Sequence, residues 1–284
     1  MAEQRRQTGG AVLAAGLLVC ACATGCSSAS VAADAHTGES AADPVRTMRR
    51  AADALVAAGT SQARTAMETA SGGTRVTIRG EGAYDYRRQR GRLTLILPQD
   101  PADAPGRLPI TELLSPGALF MKNRGAGVPA DKWVRVETAT VSDGSLVTGG
   151  ATDPLTAAEV LRGTRTATYA GREEVAGVAV RHFRGVADLA LAARSVPAAG
   201  GAALRASLTA AARGFATAEV PFDAYLDDQG RLRKLRQRFS FVNGRRKGAV
   251  AVSSTTLLFA FGTPVTVPLP RAGDIYAGRV AEPD

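Results

Sequence analysis

The three cysteines of this chain, Cys20, Cys22 and Cys26, all fall in one short stretch near its start, and their setting decides which thiol chemistry is open to them. Ala23-Thr24-Gly25 places small residues at the three positions before Cys26, and Ser27-Ser28 follows it. Arg5 and Arg6 precede an apolar run from Gly10 to Val19, so the whole reads as an export leader ending in a thiol that can take a diacylglyceryl group before cleavage. Cys22, with Ala21 before it, is a second candidate acceptor, whereas bulky Val19 disfavours Cys20. The run is too short to cross a bilayer, which takes roughly 20 apolar residues. With no cysteine after position 26, the folded part can form no internal disulfide and no thiolate metal site.

Other groups that could do chemistry are few. The histidines are His36 and His182; the second sits between Arg181 and Phe183, and no His-x-x-x-His, Cys-x-x-Cys or Gly-x-Ser-x-Gly pattern supplies partners for either. His182 therefore reads as structural. Asp227-Asp228 could be a carboxylate pair, but Asp-Asp-Gln-Gly between two strands is what a tight turn requires. Gly144-Ser145 and Gly149-Gly150 lack the lysine of a phosphate loop. The basic runs Arg87-Arg88-Gln89-Arg90-Gly91-Arg92, Arg231 to Arg238 and Arg245-Arg246-Lys247 fit a solvated face or contact with anionic headgroups. No catalytic set, cofactor or metal site is expected.

The elements that must carry these residues follow from periodicity. Residues 1–25 are the leader and 26–44 a tether rich in Ala, Ser and Asp without apolar period. Asp43-Pro44 starts a helix, and Val45, Met48, Ala52, Leu55 and Val56 keep helical spacing up to Gly59. The period then changes to two. Val76, Ile78, Tyr84 and Tyr86 share one parity, as do Leu93, Leu95 and Leu97 in the next strand. Short strands are expected at Leu119–Lys122 and Trp133–Val136, helices after Asp153-Pro154 and from Ala202 to about Arg213, and a hairpin from Thr164 to Val186. A three-stranded meander closes the chain between Pro221 and Phe261. The fold class is α+β, a curled antiparallel β-sheet or half β-barrel with amphipathic helices covering its concave face.

Charge and size narrow the partners. The chain carries a net +9, of which residues 1–25 account for +1 through Glu3, Arg5 and Arg6. A basic protein held at a bilayer of anionic lipids is drawn to that surface, and an exported one does not meet chromosomal nucleic acid. Residues 45–284 are enough for one large domain.

Several segments resemble the mycobacterial LppX/LprG-type lipoproteins, whose fold is related to the lipoprotein carriers LolA and LolB. They are Lys132-Trp133-Val134-Arg135, Asp153-Pro154-Leu155, and Gly171 to Val178 followed by Phe183. The strongest are Val220-Pro221-Phe222-Asp223-Ala224-Tyr225-Leu226-Asp227-Asp228-Gln229-Gly230-Arg231-Leu232 and Phe261 to Pro268. The resemblance implies a half-open barrel that holds acyl chains of a lipid or glycolipid. Tyr225 departs from it, since relatives often carry Trp there.

Strand parity sends Val76, Ile78, Tyr84, Leu93, Leu95, Phe239 and Phe241 to the concave face, to meet Leu55, Leu155, Leu161, Leu204 and Leu208 of the covering helices. These twelve, with Cys26 as the lipidated residue, are the expected site. The chain is expected to be a monomeric, non-enzymatic lipoprotein on the extracytoplasmic face of the cell membrane, binding or transferring a lipophilic molecule. The competing expectation is a sensor or protein-interaction module of the cell envelope on the same scaffold.

Overall fold

Two Asp-Pro pairs announce helices, and both do so by the same chemistry. Asp43 and Asp153 accept hydrogen bonds from the first free backbone N–H groups while the proline behind each needs no partner for its nitrogen. They open α1 (Pro44–Arg49) and α3 (Pro154–Val160). The computed structural model describes residues 43–71, 73–98, 108–123, 127–148, 151–243 and 248–278. The leader, Cys26, the tether with His36, Gly149-Gly150 and Arg245-Arg246-Lys247 lie outside the described residues.

The remaining helices are α2 (Ala51–Ala58), α4 (Leu189–Ser195) and α5 (Ala202–Gly214). The strands are β1 (Thr60–Ser71), β2 (Thr74–Asp85), β3 (Arg90–Ile96), β4 (Ile110–Ser115), β5 (Ala118–Lys122) and β6 (Val134–Glu137) in the first half. β7 (Thr164–Val175), β8 (Val178–Asp188), β9 (Glu219–Leu226), β10 (Leu232–Asn243) and β11 (Gly248–Phe259) form the second. All eleven belong to one antiparallel sheet in the order β6-β5-β4-β3-β2-β1-β11-β10-β9-β8-β7. Each half is a sequential meander, and the pairing of β1 with β11 joins them, with Gln62 opposite Phe259. β6 and β7 do not pair, so the sheet is open, and the expected fold class is the one observed.

Side chains of alternate parity in every strand share one face, and the register aligns them into rows: Leu95, Gly80, Thr65, Thr256, Leu235 and Ala224 form one such row across six strands. The helices lie on this face. Gly80 is needed in it, because a Cβ there would fall 2.5 Å from Leu95 and 2.7 Å from Thr65. α5 reaches both sides of the sheet: Ala203 lies against Gly117 of the β4–β5 turn, and Phe215, just past the helix, stacks on Phe239 of β10 at 5.1 Å. A helix can touch strands so far apart in the order only if the sheet curls around it.

On the outer face, residues 263–271 run back across the sheet. Val265, Val267 and Leu269 pack there with Leu113, Ala118, Phe120, Trp133 and Ile275 in a second, smaller core. Ile275 forms a parallel bridge to Trp133, which covers part of the β6 edge.

Two expectations need correction. The single helix expected from Val45 to Gly59 breaks at Arg50, where the chain turns so that Arg49 can donate from Nε and Nη2 to the Thr164 carbonyl (3.1 and 2.8 Å) while Ala51, Ala52 and Leu55 enter the core. Val56 accordingly points away from the core that Leu55 joins, and is 37% exposed. Val76 has the parity expected of it but lies near the β1–β2 turn, beyond the cover of the helices, and is 42% exposed.

Candidate functional site

Eleven of the twelve expected lining residues do come together, though as a packed core. Leu55, Tyr84, Leu93, Leu95, Leu155, Leu161, Leu208 and Phe239 are buried in one cluster, with Ile78, Leu204 and Phe241 packed partly buried against it and Val76 outside. Leu204 and Leu155 stand apart from the rest, because they also line open space.

That space is a cleft of about 540 Å³ between α2, α3, the β2–β3 turn and the segment from Val196 to Gly201. Its volume falls within the roughly 300–1,000 Å³ of small-molecule sites. Val56, Ala57, Tyr86, Leu155, Val196 and Leu204 supply an apolar wall. Arg87 and Gln89 stand on one rim, Asp53, Glu159 and Arg162 on another. Gln89, Leu155 and Leu204 are shared with an inner chamber of about 40 Å³, so they form the partition between the two spaces.

The inner chamber is lined by hydroxyl groups. Tyr84, Ser115, Thr138, Ser145, Thr156 and Ser207 surround it together with Asp153. Tyr84 donates to Asp153 Oδ2 at 2.9 Å, and the backbone N–H groups of Leu155 and Thr156 donate to Oδ1. Burial raises the Asp153 pKa despite these bonds, and burial followed by the facing Asp153 charge raises that of Tyr84. A carboxyl whose pKa is raised by folding binds its proton more tightly in the native state. Its stabilising contribution is present below the ordinary carboxylate range and is lost as pH rises through the folded value. Asp153→Asn keeps an oxygen for the helix cap and cannot ionise. Its melting temperature relative to wild type should therefore climb as pH is raised above the ordinary carboxylate range; a difference that stays flat with pH would show that folding does not raise the Asp153 pKa.

Sequence reasoning missed a band of polar side chains on the concave face. Thr65, Thr152, Gln237, Ser254 and Thr256 are 4% exposed or less. Gln237 donates from Nε2 to the Ala157 carbonyl at 3.0 Å, and Thr152 and Ser254 share a hydrogen bond of 2.7 Å, which ties α3 and the loop before it to the middle of the sheet. Inward parity carried the only signal for them.

His182 faces Glu173 Oε1 from Nδ1 at 2.6 Å and Asp223 Oδ1 from Nε2 at 3.0 Å, and stacks on Tyr225 at 4.3 Å. Both ring nitrogens are thus taken up by carboxylates, partners the sequence did not reveal. Asp227 accepts from the backbone N–H groups of Gln229 and Arg231 and from the Arg231 guanidinium, as a turn residue does. Among the described residues no group of His, Cys, Asp and Glu could hold a metal ion, and no helix is long and apolar enough to cross a membrane.

No family model matches the chain, and no curated protein matches it. Among solved structures it is similar to the lipoprotein LppX of Mycobacterium tuberculosis, at 11% identity over 79% of this chain and 97% of that one, with a TM-score of 0.42. It is similar also to LprF from Mycobacterium bovis, at 13% identity over 80% and 96% of the two chains (TM-score 0.39). A LolA superfamily protein from Nitrosomonas europaea aligns at 11% identity over 78% and 96% (TM-score 0.33). Likenesses of this size identify no ligand.

Proposed function

We propose that this chain is an exported lipoprotein, anchored through a diacylglyceryl group on Cys26 to the extracytoplasmic face of the cell membrane, whose domain binds a lipid or other lipophilic molecule. The observation that carries the reading is the cleft of about 540 Å³ with its apolar wall, on which Val56 is left 37% exposed. Each CH₂ of a chain laid on that wall gains about 0.8 kcal/mol before ordering costs. Leu155 and Leu204 continue the wall into the core, and the hydroxyl groups of the inner chamber offer hydrogen bonds to a polar end. On this reading the chain works as a binder.

The second reading, an envelope module that docks a protein partner, is favoured by the near-complete burial of Leu55, Leu93, Leu95, Leu161 and Leu208, at 1% exposure or less. A concave face so filled holds no acyl chain itself. One variant separates the two. Leu204 is only partly buried and borders both spaces, so Leu204→Trp should fill the cleft, keep the melting temperature within about 2 °C and abolish the lipid that mass spectrometry finds in an organic extract of the wild type. A wild type that carries no lipid, with a Trp variant that melts early by overpacking, would establish the protein-docking reading instead.

A further inference from the structure

The charges around the cleft are not explained by its apolar wall. On one rim Arg162 takes up both neighbouring carboxylates, with Nη2 2.5 Å from Asp53 and Nε 2.6 Å from Glu159. On the other, Arg87 donates from Nη2 to the Ala57 carbonyl at 3.1 Å, and among the described residues no carboxylate pairs with it. That bond uses one of the five N–H donors of a guanidinium. Arg87 lies in the turn between β2 and β3, residues 86–89, where its neighbour Arg88 is matched by Asp85.

We propose that the cleft takes an anionic amphiphile, with the oxygens of its headgroup on the Arg87 guanidinium and its apolar chain over Val56, Leu155 and Leu204. The inference rests on the lipid-binding reading above and adds the charge of the ligand to it. A guanidinium presents parallel N–H groups that match a carboxylate or phosphate with two hydrogen bonds, and such bonds are worth most where one side is walled by apolar atoms. A neutral lipid would leave those donors to water. A fatty acid and a phosphate-bearing lysolipid share the required chemistry, a pair of anionic oxygens at the end of one chain.

Binding of palmitate, palmitoyl lysophosphatidate and methyl palmitate to the purified full-length protein tests this. The wild type should bind at least one of the two anions about tenfold to a hundredfold more tightly than the uncharged ester. Arg87→Gln should remove that preference and leave the ester unaffected, and Arg87→Lys should restore it in part. A response confined to palmitate assigns a free fatty acid, and one confined to lysophosphatidate a phospholipid; either supports the inference. Equal binding of ester and anions by the wild type overturns the anionic headgroup while sparing the lipid-binding reading. Failure to bind any of the three overturns both. The ester doubles as a check that a variant's cleft is intact, and the wild-type comparison decides the matter even where Arg87→Gln does not fold.

Discussion

Arg162→Leu should destabilise the domain by about 3–5 kcal/mol, the cost of leaving a buried carboxylate without its partner. Glu159 is 4% exposed and Arg162 covers both its oxygens, at 2.6 and 3.1 Å. Arg162 meanwhile reaches Asp53 on α2, so one side chain binds two helices. Burial lowers the pKa of the guanidinium, but the bonds to Asp53 and Glu159 more than reverse this and keep it charged. Burial also raises the Glu159 pKa even with Arg162 present. Without the arginine the carboxyl can escape its desolvation by taking a proton, and the loss measured by urea unfolding should shrink as pH falls toward 4. The double variant Glu159→Leu with Arg162→Leu should recover most of the stability, since a well-packed apolar pair in place of a buried ion pair is close to neutral. A single-variant loss below about 1 kcal/mol would mean that water reaches Glu159 and the pair is superficial.

The largest cellular effect is expected from Cys26→Ala. The proposed anchor at Cys26 is the hydrophobic attachment that would remain on cleavage of residues 1–25, and among the described residues no helix is long and apolar enough to cross a membrane. A single acyl chain holds a protein only marginally, and a diacylglyceryl group supplies the two that make attachment stable. The variant should therefore pass from the membrane fraction almost wholly into the soluble exported fraction. The net +8 of the remaining chain would retain some of it at low salt, so the fractionation belongs at physiological ionic strength. Membrane retention there with unchanged mass would move the modification to Cys22 or dismiss it.

Much of the sheet was legible in the sequence because its strands alternate. Leu93 and Leu95 of β3 were read from period two, and the long strands β10 and β11 from the turn signals Asp227-Asp228-Gln229-Gly230 and Asn243-Gly244 in the sequence around them. β1 was not, although it lies at the centre of the sheet. Its inward residues are Ser61, Ala63, Thr65 and Met67, of which only Met67 is large and apolar, so no apolar stripe shows, and the small ones suit a strand whose neighbours on β2 include Gly80 and Gly82. α4 was missed because Leu189 to Ser195 is short and Ala-rich, with Asp188 as its only boundary signal. The site divided in the same way. Parity gathered the apolar lining, whereas the cleft depends on the break at Arg50, which turns Val56 outward and sets α2 opposite Arg87. Such a break has no hydrophobic signature.

The seam between β1 and β11 bears on how the protein matures. Each meander can zip from neighbour to neighbour as soon as its own residues are available, but the seam matches Gln62 with Phe259 and must wait for nearly the entire polypeptide. Long-range antiparallel pairing of this kind has high contact order and is slow, and until it forms both middle strands are raw edges able to recruit other chains. For any chain exported before it folds, such a delay keeps the native state topologically out of reach while the carboxyl-terminal strands are still inside the cell.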